Sequence, residues 1–152
     1  GTGDGANKWY IHHQGGGWCE SLDDCYDRSS TTLGSSKTYP PEASLGGGYF
    51  SPNCTESFMC NWNKAFFRYC DGGSFSGSNS STTTVNGKEL HFRGHHILHA
   101  IMKDLMTNHG LASATDLVVS GCSAGGLATY LHADEWASIM PAATKVRALP
   151  DS

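Results

Sequence analysis

Six consecutive residues, Gly121-Cys122-Ser123-Ala124-Gly125-Gly126, constrain this chain more than any other stretch. The run before them, Asp116-Leu117-Val118-Val119-Ser120, is short and β-branched and reads as a buried strand. Behind them, Leu127, Leu131 and Trp136 lie among residues of good helix propensity, so a helix is expected to follow. A serine on Gly-x-Ser-x-Gly between a strand and a helix sits on a turn too tight for side chains at its flanks. Glycines fill those flanks, and the turn lifts the Ser123 hydroxyl above the sheet edge. The helix start presents free N–H groups and the positive end of a dipole, which suits a developing oxyanion. Ser123 is therefore the candidate nucleophile, and Ala124, whose N–H follows it directly, is a candidate oxyanion donor. The plain alternative is a glycine-rich turn that only lets strand and helix pack closely.

The rest of the chain can be placed around this turn. Residues 8–13 read as a first strand that runs into Gln14-Gly15-Gly16-Gly17-Trp18. Residues 19–63 show little periodicity, and Pro40-Pro41 and Gly46-Gly47-Gly48 mark loops. A connection this long in a compact domain is generally functional or held by cross-links. Residues 65–69 read as a second strand ending in Cys70-Asp71-Gly72-Gly73, and Asn86-Gly87 signals a tight hairpin. The strongest helix is 94–108: Ile97, Ile101 and Leu105, with Leu98 and Met102, form one apolar stripe, and Gly110 is placed to cap its end. A last strand is expected over 145–149. This alternation predicts an α/β-hydrolase-like fold, a mainly parallel sheet with helices on both faces. The chain opens on Gly1 rather than Met and stops just past a strand-like run, so residues 1–152 read as a single, incomplete domain of that fold.

The bulk numbers exclude some classes of partner. With a formal charge of −4 over 152 residues, nothing suggests nucleic acid or an anionic membrane surface. No apolar run approaches the roughly 20 residues of a membrane span. The chain has six cysteines, and neither Cys19/Cys25 nor Cys54/Cys60 has the Cys-x-x-Cys spacing of a zinc or redox motif. Each pair lies in loop-like sequence and is expected to form a short-loop disulfide in an oxidising compartment. The sequons Asn53-Cys54-Thr55 and Asn79-Ser80-Ser81 agree with a secretory route and make Asn53 and Asn79 candidate glycosylation sites.

Catalysis by Ser123 needs a base and oxyanion donors. The loop 15–17 follows the first strand, where hydrolases of this fold place their second donor, so Gly16 and Gly17 join Ala124 as candidate oxyanion-hole residues. The base is not found in this stretch. The fold's order is Ser, acid, His, yet His132 is the only later histidine and precedes Asp134, Glu135 and Asp151. It also lies roughly 13 Å along a helix from Ser123, against about 3 Å for a hydrogen bond. His95 and His99 have ligand spacing, but no acid or cysteine is in evident register with them, so no metal is expected. Asp71 ends a strand at the edge where α/β sheets bind ligands, and is either a substrate contact or a turn-forming residue.

Several stretches together resemble the pectin acetylesterase family, which also contains the animal enzyme Notum. They are Gly15-Gly16-Gly17-Trp18-Cys19, Tyr69-Cys70-Asp71-Gly72, Ser74-Phe75-Ser76-Gly77, Phe92-Arg93-Gly94 and Gly121-Cys122-Ser123-Ala124-Gly125-Gly126-Leu127-Ala128. The resemblance implies a secreted or cell-wall serine esterase without cofactor or metal, removing acetyl groups from a polysaccharide such as pectin. In it Ser123 matches the nucleophile and Gly16, Gly17 and Ala124 the oxyanion-hole region, with Trp18 and Asp71 as candidate substrate contacts. The family's acid and histidine come later than Ser152. Two other readings are a Notum-like esterase acting on long acyl chains of proteins, and a non-catalytic carbohydrate-binding member of the fold.

Overall fold

A computed structural model describes residues 1–151. Four parallel strands form the central sheet of these residues: β1 (Lys8–His13), β2 (Asn63–Phe67), β5 (Asp116–Cys122) and β6 (Lys145–Asp151), in the order β2-β1-β5-β6. A separate antiparallel hairpin, β3 (Thr83–Val85) and β4 (Lys88–Leu90), turns through Asn86 (φ 48°) and Gly87 (φ 77°). Those are the left-handed conformations a two-residue Asn-Gly turn needs. The helices are α1 (Leu22–Arg28), α2 (Gly94–Asn108) and α3 (Ala124–Ile139).

Alternation along β1 divides the sheet into two faces. Trp9, Ile11 and His13 point to one face, together with Phe67, Leu117 and Val119, and pack against Leu98 and Met102 of α2 and Ala128 and Trp136 of α3. Trp136 is fully buried there, and truncating it to alanine would cost about 3–5 kcal/mol. Both long helices thus share one face, whereas helices on both faces is the usual expectation for this fold. Tyr10 and His12 point to the other face, which is covered by the 3-10 turn Gly48–Phe50: Phe50 meets Tyr10, His12 and Phe66 edge-on. Lys64 Nζ donates to the carbonyls of Phe50, Ser51 and Cys60, which holds that segment to the sheet edge.

The stretch 19–63 is therefore less irregular than its composition suggests. It contains α1, which starts where Ser21 Oγ accepts the Asp24 N–H at 3.2 Å and where Asp23 and Asp24 face the positive helix end. Seven residues are too few to display an apolar period, so only the cap announces this helix. Disulfides join Cys19 to Cys25 and Cys54 to Cys60. Among the described residues Cys70 and Cys122 are the free thiols. At the far end of α2, Gly110 takes φ 82°, the left-handed stop expected of it. In α3, Leu127 and Leu131 are exposed, and Trp136 alone of the three apolar markers faces the core. No helix of the described residues is long and apolar enough to cross a membrane.

Candidate active site

Ser123 stands between the last residue of β5 and the first of α3, with φ 54° and ψ −124°. A serine pays roughly 1–3 kcal/mol to hold such a conformation, so the surroundings must enforce it. Several backbone contacts do so. The Ser123 N–H donates to the Asp151 carbonyl at 3.0 Å, and the Ser123 carbonyl accepts the Leu127 N–H at 3.0 Å. The glycines beside it are required by close approach. A Cβ on Gly121 would lie 2.1 Å from the Gly125 carbonyl oxygen, one on Gly125 2.1 Å from that of His13, and one on Gly126 2.0 Å from that of Asp151. The strand, the turn and the helix can therefore meet only if these positions lack side chains. Ser123 is left exposed, with the first N–H groups of α3 beside it.

The parallel register pairs His13 with Gly121, so the loop that follows β1 leaves the sheet at the same edge as the turn. A Cβ on Gly15 would come within 2.2 Å of the Cys122 carbonyl oxygen and 3.3 Å of the Ser123 Cβ. Gly16 and Gly17 have φ of 142° and 67°, which aims their peptides in ways an ordinary residue would resist. Three side chains that are not among the site residues expected from sequence, Arg28, Tyr69 and Ser74, brace this loop. Arg28 Nη1 donates to the Gly16 carbonyl at 2.8 Å, and Tyr69 OH donates to the Gly17 carbonyl at 2.8 Å. Ser74 N–H in turn donates to Tyr69 OH, and Ser74 Oγ donates to the Ala124 carbonyl at 2.8 Å. The Gly16 and Gly17 carbonyls are thus both engaged by side chains. The motif Ser74-Phe75-Ser76-Gly77 was the sequence signal for Ser74, whose φ of 52° marks a special turn.

Trp18, Ser123, Gly126, Leu127, Tyr130, Pro150 and Asp151 line a cleft of about 490 Å³. Trp18 Nε1 donates to Ser74 Oγ at 2.7 Å, which fixes the indole as one wall. Asp71 is placed elsewhere. It lines a second cavity of about 520 Å³ with Arg28, Lys37 and Lys88. Its Oδ1 accepts the Phe75 N–H and its Oδ2 the Gly73 N–H, both at 3.2 Å. Burial pushes its carboxyl up, a rise that those N–H groups and Arg28 offset only in part. A Cβ on Gly94 would collide with it as well. These hydrogen bonds give Asp71 a turn-forming role, and its place on the wall of the second cavity sets it apart from the cleft beside Ser123.

Among the described residues no histidine hydrogen-bonds the Ser123 hydroxyl. His132 instead lies buried on α3, its Nδ1 3.2 Å from Glu135 Oε2 and its Nε2 3.4 Å from the Ser74 carbonyl. Burial pushes the Cys70 thiol up, which makes it a poor nucleophile. Asn53 and Asn79 are exposed, and each accepts the hydroxyl of the residue two further on, Thr55 or Ser81, in an Asx turn. Glu135 from α3 lies against both His95 and His99, an acid neighbour that spacing along the sequence does not disclose.

A parallel sheet with a strained serine between its central strand and a helix, and a glycine loop at its side, defines an α/β-hydrolase-like fold. The family model of pectinacetylesterase matches residues 1–152, and the chain belongs to that family. It is 38% identical over 152 residues to pectin acetylesterase 11 and to pectin acetylesterase 7 of Arabidopsis thaliana, covering all of this chain and 38% of each relative. It is 30% identical over 155 residues to the human palmitoleoyl-protein carboxylesterase NOTUM, covering 97% of this chain and 30% of the relative. The chain thus spans less than two fifths of the length of the curated relatives it matches.

Proposed function

We propose that this chain carries the nucleophile half of a serine esterase that removes O-acetyl groups from an extracellular polysaccharide such as pectin. The observation that supports it most is Ser123 itself, a non-glycine residue held at φ 54° on an exposed turn. Backbone strain of this kind persists where a function needs the geometry. In the reaction, Ser123 Oγ attacks the acyl carbon and its proton passes to a base. The tetrahedral oxyanion takes hydrogen bonds from the Ala124 N–H and from the Gly16–Gly17 peptides. Collapse expels the sugar hydroxyl, reprotonated by the same base, and leaves an acetyl ester on Ser123. Water then attacks that ester and releases acetate. The base and its acid partner are assigned to the part of the protein outside this chain, in keeping with the greater length of the relatives. Secretion, with Asn53 and Asn79 as glycan acceptors and two disulfides in an oxidising compartment, belongs to the same reading.

The apolar walls offered by Trp18, Leu127, Tyr130 and Pro150 favour a second reading, hydrolysis of a long acyl chain. Release of acetate from acetylated pectin, set against hydrolysis of a long-chain acyl ester by the full-length protein, separates the two. Acetate release that disappears in Ser123→Ala supports the first reading. A preference for the long chain supports the second, and full activity in Ser123→Ala removes both.

A further inference from the structure

We propose that His95, His99 and Glu135 form a binding site for one divalent transition-metal cation of the zinc class, which pins α2 to α3. The two histidines stand one helical turn apart, so their rings project from the same face of α2. Glu135 arrives from α3, and one ligand atom from each of the three residues lies within 4.8 Å of the others. His95 Nε2 is 3.2 Å from Glu135 Oε1, and His99 Nε2 closes on the same oxygen. Donors about 2.0–2.1 Å from a tetrahedral zinc lie about 3.3 Å from one another, so a cation fits between these atoms with small adjustments.

The second Glu135 oxygen is held 3.2 Å from Nδ1 of the buried His132, whose ring stacks on that of His95 at 5.6 Å. A supporting group of this kind fixes the orientation of a ligating carboxylate. Three imidazoles gathered on one carboxylate are poorly explained by ion pairing, since partly exposed pairs contribute little. The relation to Ser123 is one of support. Glu135 lies about 18 Å along α3 from it, too far to touch an ester bound there. Two imidazoles and a carboxylate suit zinc, with copper and nickel competing, and water completes the shell.

The test is spectroscopic and does not depend on hydrolysis. Full-length protein stripped with a chelator is titrated with Co²⁺, whose visible absorption reports tetrahedral coordination. One equivalent is expected to saturate the band, and Zn²⁺ to bleach it. His99→Ala, at a half-exposed position, and Glu135→Gln should each weaken uptake by more than the 10–100-fold that losing a supporting group costs. His109→Ala, which breaks the His109–Asp104 pair at the far end of α2, should leave it unchanged. Absence of a saturable band, or a band that persists in both His99→Ala and Glu135→Gln, overturns the proposal. So does a melting temperature that Glu135→Gln lowers equally with Zn²⁺ and with chelator, since that marks a plain electrostatic clasp.

Discussion

His13 and Thr129 are joined by a 3.0 Å hydrogen bond between Nδ1 and Oγ1, which ties the strand before the glycine loop to the helix behind Ser123. Thr129 gives its own proton to the Gly125 carbonyl, so its oxygen accepts and the His13 proton sits on Nδ1. His13 Nε2 is then a bare acceptor, buried with no partner among the described residues, facing the rings of Phe67, Phe75 and Trp136.

Protonating that nitrogen would place a charge in an apolar pocket. Burial lowers the His13 pKa to about 3, with His132 and His12 adding to the shift. The unfolded chain takes up this proton near its ordinary value of 6.5 and the folded one does not. Stability from this site is therefore present above pH 6.5 and is lost as the pH falls towards about 3, by an amount on the order of a few kcal/mol. Urea midpoints at pH 7 and pH 4 should differ markedly in the parent and much less in His13→Phe, which fills the ring site without titrating. Equal acid sensitivity in the two would sink the assignment.

Ser123 offers a separation of stability from activity. Ser123→Ala keeps the Cβ and the strain, so thermal stability should change little while ester hydrolysis by the full-length protein is lost. Ser123→Gly relieves φ 54° and should raise stability by about 1 kcal/mol or more with the same loss of activity. Denaturant melts of the three proteins check this, and a Ser123→Gly protein less stable than Ser123→Ala contradicts the strain.

The elements that the sequence discloses are those with local codes. The strand, glycine turn and helix at 116–139 follow from β-branching, close approach and propensity, and the hairpin from Asn86-Gly87. The stripe of α2 is legible because fifteen residues span four turns. What stays hidden depends on long-range meeting. Glu135 is 36 residues from His99, and only the packing of two helices on one sheet face brings them together. Arg28 acts through the Gly16 carbonyl of the glycine loop and Ser74 through the Ala124 carbonyl at the start of α3, pairings that no spacing rule marks. Asp71 was ambiguous for the same reason: an Asp before two glycines suits both a turn and a ligand edge.

Two glycines of the same loop should respond differently to a methyl group. Gly15→Ala drives a Cβ to 2.2 Å from the Cys122 carbonyl, backbone that cannot swing aside, so stability should fall by at least about 2 kcal/mol and the turn should lose activity. Gly17→Ala meets nothing within 4 Å and pays only for φ 67°, roughly 1–2 kcal/mol. A loss in Gly17→Ala larger than that in Gly15→Ala would show that the loop does not abut the elbow.

Arg28 carries the last prediction. Its Nε donates to the Leu33 carbonyl at 2.9 Å, its Nη1 to the Gly16 carbonyl at 2.8 Å, and its guanidinium lies 5.1 Å from the Tyr69 ring centre. The planar fork lets one side chain hold two carbonyls and stack at once; a lysine ammonium is a point charge on a flexible stem and cannot. In Arg28→Lys the Gly16 peptide is freed to rotate, and a rotated peptide would turn its carbonyl toward the developing oxyanion. The expected result for the full-length protein is a fall in kcat of about 10–100-fold with little change in KM, because the lost contact matters only when the oxyanion forms. The far-ultraviolet spectrum should stay that of the parent, since α1 keeps its Ser21 cap and the Cys19–Cys25 bridge. A change confined to KM would mean that Arg28 serves substrate binding through the neighbouring cavity, and would remove its role in shaping the oxyanion loop.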